Sequence, residues 1–265
     1  MKDFHTTASL SNKKTVAMCS QPDQETAALQ QPDTHPVCRK ENGETDLFAN
    51  AIRLPSESSA ARTILKSSAW RASGQLVIGT NPGRLIQIDS ELEYKVALIL
   101  SVKPDLADLR EQVCFKWFDQ TGKSHSHFFD FVITCKSGER TAVIVKEASR
   151  LRSERLRREI KMIGAQAVPN FADRVIVVTQ RDINAIDLHN AKLLHDVRHP
   201  DLEADEAAVA VTNGLVGAAT IADLSAMMEM GGRGFRALAR LIRRQALVLL
   251  HHEVVSHGSF VRRVI

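Results

Sequence analysis

The sequence predicts an α/β protein: a mixed sheet layered with helices, then a smaller helical module that closes on a β-hairpin. Three observations carry that class. An apolar stripe at helical spacing occupies residues 89–101, β-rich apolar runs recur between 113 and 179, and from about residue 203 the pattern turns helical again. Composition agrees, because 44% hydrophobic and 25% charged residues in a chain of 265 suit a folded domain rather than a disordered one.

Residues 1–58 are rich in Gln, Thr, Ser, Pro and charge and hold no helical or strand period, so they are expected to form a disordered extension. Residues 59–200 are regular. In "DSELEYKVALILS" (89–101), Leu92, Val96, Ile99 and Leu100 share one helical stripe, and Glu91 pairs with Lys95 on the solvent side. "VCFKWF" (113–118) suits a strand, and "DQTGK" turns the chain. "FFDFVITCKSGERTAVIVK" (128–146) reads as a hairpin. A loop of Ser137-Gly138-Glu139 would set Lys136 against Arg140 and Asp130 against Lys146. By alternation those charges share a face with Phe128, Val132 and Ile144. "SRLRSERLRREIKMIGAQA" (149–167) is a charged helix, and "RVIVVT" (174–179) a continuously apolar strand of the kind buried inside a sheet. The order αβββαβ follows, with the last crossover parallel and right-handed.

In residues 201–265, "TIADLSAMMEM", the turn "GGRG" and "FRALARLIRRQ" give two helices; Phe235, Leu238, Leu241 and Ile242 form the second stripe. "ALVLL" and "SFVRRVI" read as two short strands. This outlines a winged-helix or helix-turn-helix module, with a plain helical interaction module as the alternative.

Composition also bounds the function. The net charge of +4 is compatible with nucleic acid without requiring it. No apolar run approaches the roughly 20 residues of a membrane span, and the first residues lack a signal peptide's apolar stretch, so a cytoplasmic, nucleoid-associated protein with no membrane partner is expected. Cys19, Cys38, Cys114 and Cys135 lack paired metal-ligand spacing. His195 and His199 stand four apart with no glutamate of a zinc motif between them, and the neighbouring Asp and Pro suggest a loop. His125 and His127, which precede Asp130, are read as surface residues with a place facing the cleft as the alternative, and no glycine-rich phosphate loop occurs.

The residues that invite chemistry are Glu93, Asp130 and Lys146. Glu93 lies beside the helical stripe, in line with Ala97 and Leu100. "SELE" equally fits a capping box in which Ser90 caps the helix and Glu93 returns to its backbone. For Asp130 and Lys146 the simple account is a cross-strand ion pair. Taken together, two carboxylates and the Val145 carbonyl would hold Mg²⁺, with Mn²⁺ as a substitute, beside a lysine that orients water and neutralises a phosphodiester's developing charge.

This layout resembles the PD-(D/E)XK restriction-endonuclease-like fold. More narrowly, "DSELEYKVALILSVKPDLADLREQ", "FFDFVITCKSG" and "AVIVK" are similar to the TnsA endonuclease subunit of heteromeric transposases over residues 60–180. The resemblance implies a Mg²⁺-dependent endonuclease that cuts the 5′ ends of a transposon in double-stranded DNA. It also implies a partner DDE-type transposase that acts on the 3′ ends, and an ATP-dependent transposition regulator. By position, Glu93 and Asp130 become metal ligands and Lys146 the catalytic lysine. The departure is Ile144, which stands where the wider fold has an acid and this subfamily Gln. Glu147 points to the opposite face, and Gln112 either makes a structural hydrogen bond, the favoured account, or approaches the site from the first strand. Two alternatives stand beside this reading: an impaired nuclease fold serving as a DNA-binding adaptor, and a free-standing restriction or repair nuclease. Arg155 and Arg158 on the charged helix, and Arg236, Arg240, Arg243 and Arg244 near the carboxy terminus, are the expected DNA contacts; a solvated helix face is the plain account of the first two.

Overall fold

The computed structural model describes residues 54–62, 73–80 and 82–264, so the expected disorder of residues 1–53 lies outside the described residues. The last five residues of that proposed extension are ordered against the sheet. The Ser56 N–H donates to the Gly83 carbonyl at 3.0 Å, and the Ser58 hydroxyl donates to Glu111 at 2.5 Å.

Strands β1 (Gly74–Ile78) and β2 (Arg84–Ile88) pair antiparallel as a separate hairpin that the sequence reading missed. Helix α1 (Glu91–Ser101) follows. Ser90 is extended at its amino end, and its hydroxyl accepts the Glu93 N–H, which sets the start. The central sheet runs β3 (Leu106–Phe118), β4 (Ser124–Cys135), β5 (Arg140–Val145) and β6 (Arg174–Val178) in that spatial order. The first three are antiparallel and β6 is parallel to β5, as the crossover through α2 (Glu154–Ala167) requires. The charged helix starts later than expected: Arg150–Arg152 form a 3₁₀ turn, and Ser153 caps α2.

The hairpin register differs from the sequence expectation by one loop residue. Thr134 pairs with Arg140, and the Cys135 N–H donates to the Glu139 carbonyl at 2.8 Å, so the loop is Lys136-Ser137-Gly138. Gly138 has φ 90°, the left-handed residue that a three-residue loop needs at its third position. Asp130 is therefore not directly opposite Lys146. One loop residue moves the pairing by two along the strand, a shift that by itself changes no face.

Leu98, Leu109, Phe131 and Val143 form a core beneath α1, while Phe129, Val132, Ile144 and Ile163 form another beneath α2. Each such fully buried side chain contributes about 1.5–3 kcal/mol. Phe129 and Phe131 are two apart on β4 yet belong to different cores. Between the pairs Glu111–Phe131 and Val113–Phe129, Gln112 takes φ 49°, so strict alternation fails where Asp130 sits.

Helix α3 (Ala185–Asp196) occupies a stretch whose end had been read as a loop; His195 lies in its last turn. The chain ends with α4 (Leu202–Asn213), β7 (Ala218–Thr220), α5 (Ile221–Met228), α6 (Gly232–Arg243), β8 (Leu247–Leu249) and β9 (Phe260–Arg263). These three strands form a sheet in the order β7-β9-β8 around a third core that includes Ile221, Leu238 and Leu247. The "GGRG" stretch is not a turn, because α6 begins within it. Ala191 of α3 belongs to the first core and Leu194 to the third, so α3 joins the two.

Candidate active site

Sheet and helix α1 bring the three predicted residues to one place, the carboxy-terminal end of β5. Asp130 is 4% exposed, and its Oδ2 accepts the Val145 N–H at 2.7 Å. The Lys146 ammonium stands 3.4 Å from the same oxygen and donates to the Val145 carbonyl at 2.9 Å. Its own N–H is fixed to the Val178 carbonyl of β6 at 3.0 Å. The carbonyl expected to ligate metal is thus engaged by the lysine.

Glu93 enters from α1, 7% exposed. The capping alternative is realised in a modified form. Its Oε2 accepts the N–H of Asp89 rather than that of Ser90, at 3.0 Å, and its Oε1 accepts the Ser90 hydroxyl at 3.1 Å. It still reaches the site electrostatically. Burial raises its pKa first and the Asp130 charge raises it further, against the hydrogen bonds from Asp89 and Ser90. Two desolvated carboxylates that repel each other form a donor set suited to a cation. Among the described residues no group of three or more His, Cys, Asp or Glu side chains is arranged for a metal. A pair of carboxylates is a donor set of the kind a hard ion such as Mg²⁺ takes, since it is held by one or two carboxylates and keeps several waters. Glu93 Oε1 and Oε2 each retain a second lone pair for it, whereas Asp130 Oδ2 already accepts from both the Val145 N–H and Lys146, so Asp130 would offer Oδ1.

Three residues around this pair carry buried polar atoms without a partner: Asp89 Oδ1, Gln112 Nε2 and His127 Nε2. Such atoms are rare in folded proteins and mark places where a ligand or water belongs. Gln112 is fully buried, and its left-handed backbone costs about 1–2 kcal/mol. Its Oε1 accepts Arg62 Nε at 2.6 Å. Arg62 also donates to Asp89 Oδ2 at 3.3 Å and lies 5.6 Å above the centre of the Phe128 ring. His127, expected at the surface, is half-buried edge-on to Phe129. Burial brings its pKa down to about 4, with Asp130 opposing and Lys146 reinforcing that shift. Its companion His125 contacts Asp119 at 2.7 Å by the turn before β4.

Ile144 is fully buried in the core under α2, so it supplies no ligand, and Glu147 is exposed. His195 is buried at the end of α3, and burial pushes its pKa down to about 4.

The six arginines expected to bind DNA divide. Arg155 and Arg158 are exposed on α2, with Arg158 3.2 Å from Glu154 one turn earlier. The carboxy-terminal four are engaged within the protein. Arg240 is 3% exposed and donates to Asp205 at 2.5 Å, which removes it as a phosphate contact. Arg244 donates to the same carboxylate at 3.2 Å, Arg243 to the Leu194 carbonyl and Arg236 to the Asp196 carbonyl, each at 3.1 Å. The amphipathic stripe of α6 was read correctly; the burial of Arg240 against Asp205 of α4 was not foreseen, and Arg236 and Arg244 remain exposed.

Arg62 and Asp89 were missed as site residues. They stand 27 residues apart in the chain, and no period or motif links them. No family model matches the chain, and no curated protein matches it. Among the described residues no helix is long and apolar enough to cross a membrane.

Proposed function

We propose that this chain is a metal-dependent DNA endonuclease of restriction-endonuclease-like fold, a TnsA-like subunit that cleaves the 5′ ends of a transposon beside a DDE-type transposase and an ATP-dependent regulator. The observation that carries the reading is the meeting of Asp130, Lys146 and Glu93, which come from three different elements, at one end of β5. The connectivity α1, β3–β4–β5, α2, β6 supports the fold assignment. The run α4, β7, α5, α6, β8, β9 with sheet order β7-β9-β8 supports a winged helix.

In this reading Glu93 and Asp130 would hold Mg²⁺, and the ion would supply Lewis-acid polarisation of a phosphodiester and activation of water. Asp130, fixed by the Val145 N–H, keeps its second oxygen clear of that bond. Lys146 presents its ammonium beside Asp130, where it neutralises charge gathering on the phosphoryl oxygens. The exposed arginines of α2, which follow Lys146 closely in the chain, track neighbouring phosphates.

A second reading, an impaired nuclease fold acting as a DNA-binding adaptor, is favoured by the buried Ile144 and by the cap contacts of Glu93. Reconstituted cleavage of a transposon-end duplex separates the two. Asp130→Ala and Lys146→Ala should each abolish 5′-strand cleavage while DNA or partner binding persists. Cleavage unchanged in both variants rules out the assigned residues, and a wild-type chain that binds but never cuts supports the adaptor.

A further inference from the structure

We propose that Arg62 binds a backbone phosphate of the DNA held at the Asp130–Lys146 site, a contact that rests on reading this site as a DNA site. The guanidinium touches three residues, each next to a member of the site. Gln112, which accepts its Nε–H at 2.6 Å, lies between the ladder pairs that flank Asp130. Asp89, which accepts an Nη2–H at 3.3 Å, donates its own N–H to Glu93. Phe128, beneath the guanidinium plane, precedes Asp130 by two residues. Three such contacts fix Arg62 at the rim of the carboxylate pair.

It is fixed without being used up. Its side chain is 40% exposed, and among the described residues its Nη1 has no partner. Arg84, on the neighbouring strand, makes the contrast. It is only 22% exposed and is taken by Glu111, Ser59 and the Leu109 carbonyl. A guanidinium offers planar, paired N–H groups that match phosphate oxygens. Holding it in advance through Nε and a ring face reduces the side-chain freedom lost on binding. The exposed arginines of α2 lack such bracing, apart from the pairing of Arg158 with Glu154.

The bland alternative is a latch that holds residues 54–62 to the sheet, and salt dependence of binding discriminates. The full chain is titrated with a short DNA duplex over a range of KCl concentrations, with Ca²⁺ in place of Mg²⁺. Arg62→Ala should weaken binding and reduce the slope of log K against log salt by about 0.9, the value of one phosphate contact. Arg62→Lys should restore the slope. If Arg62→Ala does not fold, Arg62→Gln, which keeps a donor near Gln112, is read in its place. An unchanged slope in a wild-type chain that binds and cleaves overturns the Arg62 contact alone. A reduced slope in a chain that binds without cleaving keeps the contact and overturns the nuclease reading. A wild-type chain that does not bind the duplex overturns both.

Discussion

The Asp205–Arg240 pair and the Asp130–Lys146 pair both bury a carboxylate, yet they are built differently. In the carboxy-terminal region the side chains are 10% and 4% exposed and 2.5 Å apart, and Arg244 closes the far side of the acid at 3.2 Å. At the end of β5 the acid is as buried, but its partner is 33% exposed and stands 3.4 Å away. In the first arrangement both paired side chains are withdrawn from solvent, while Asp205 also lines an open cleft with Leu202, Val209 and Arg244. The second leaves a cation facing solvent beside a desolvated anion, with Glu93 in electrostatic reach and unpartnered polar atoms around it. Arg240 Nη2 is itself buried without a partner among the described residues, so what separates the two pairs is the solvent-facing lysine and the second carboxylate beside Asp130.

Cutting one member from each pair would test that contrast. Asp205→Ala strands Arg240 in the core and should destabilise the protein by about 3–5 kcal/mol, read by urea unfolding. Replacing both partners with apolar residues of similar volume should recover most of that loss. Asp130→Asn keeps an acceptor for the Val145 N–H and removes repulsion with Glu93. It should shift stability by less than about 1.5 kcal/mol, the scale of one hydrogen bond, while abolishing cleavage. A large loss of stability with Asp130→Asn would place the second pair in the same structural class as the first.

Glu93 provides the smallest effect and the most diagnostic one. Its folded pKa lies above the ordinary carboxylate value, so the folded state holds this proton more tightly than the unfolded chain. The stability this confers is present below the unfolded pKa of 4.5 and is lost as pH rises through the raised folded value. Glu93→Gln removes the dependence. The stability of the variant relative to wild type should therefore improve from pH 4 toward neutrality. Mg²⁺ should stabilise wild type at neutral pH and leave the variant unchanged. A metal effect identical in both proteins would remove Glu93 from the donor set.

Much of this was legible in the sequence, for identifiable reasons. Asp130 and Lys146 sit in strands legible from their apolar runs, but the expected face was not kept: Val132 and Ile144 pack under α2, whereas Asp130 meets Glu93 of α1, because alternation fails beside the left-handed Gln112. Glu93 was found from its place beside a helical stripe, although only coordinates decide between capping and convergence, and they display both. Arg62, Asp89 and Gln112 meet only through folding. Their proximity depends on the path of residues 54–62 and on the left-handed turn of Gln112. Among the arginines of α6, Arg240 was misread because sequence gives a helix's polar flank without saying that an acid of a neighbouring helix will take it, while Arg236 stays exposed.

The placement of residues 54–58 has a practical corollary for anyone trimming this protein. A truncation at residue 59, where the composition changes, would delete Ser56 and Ser58. It would strip the Ser56 bridge from the edge of β2 that β1 does not cover and leave the wholly interior Glu111 with Arg84 as its remaining side-chain partner. Beginning at residue 54 keeps that seam stitched.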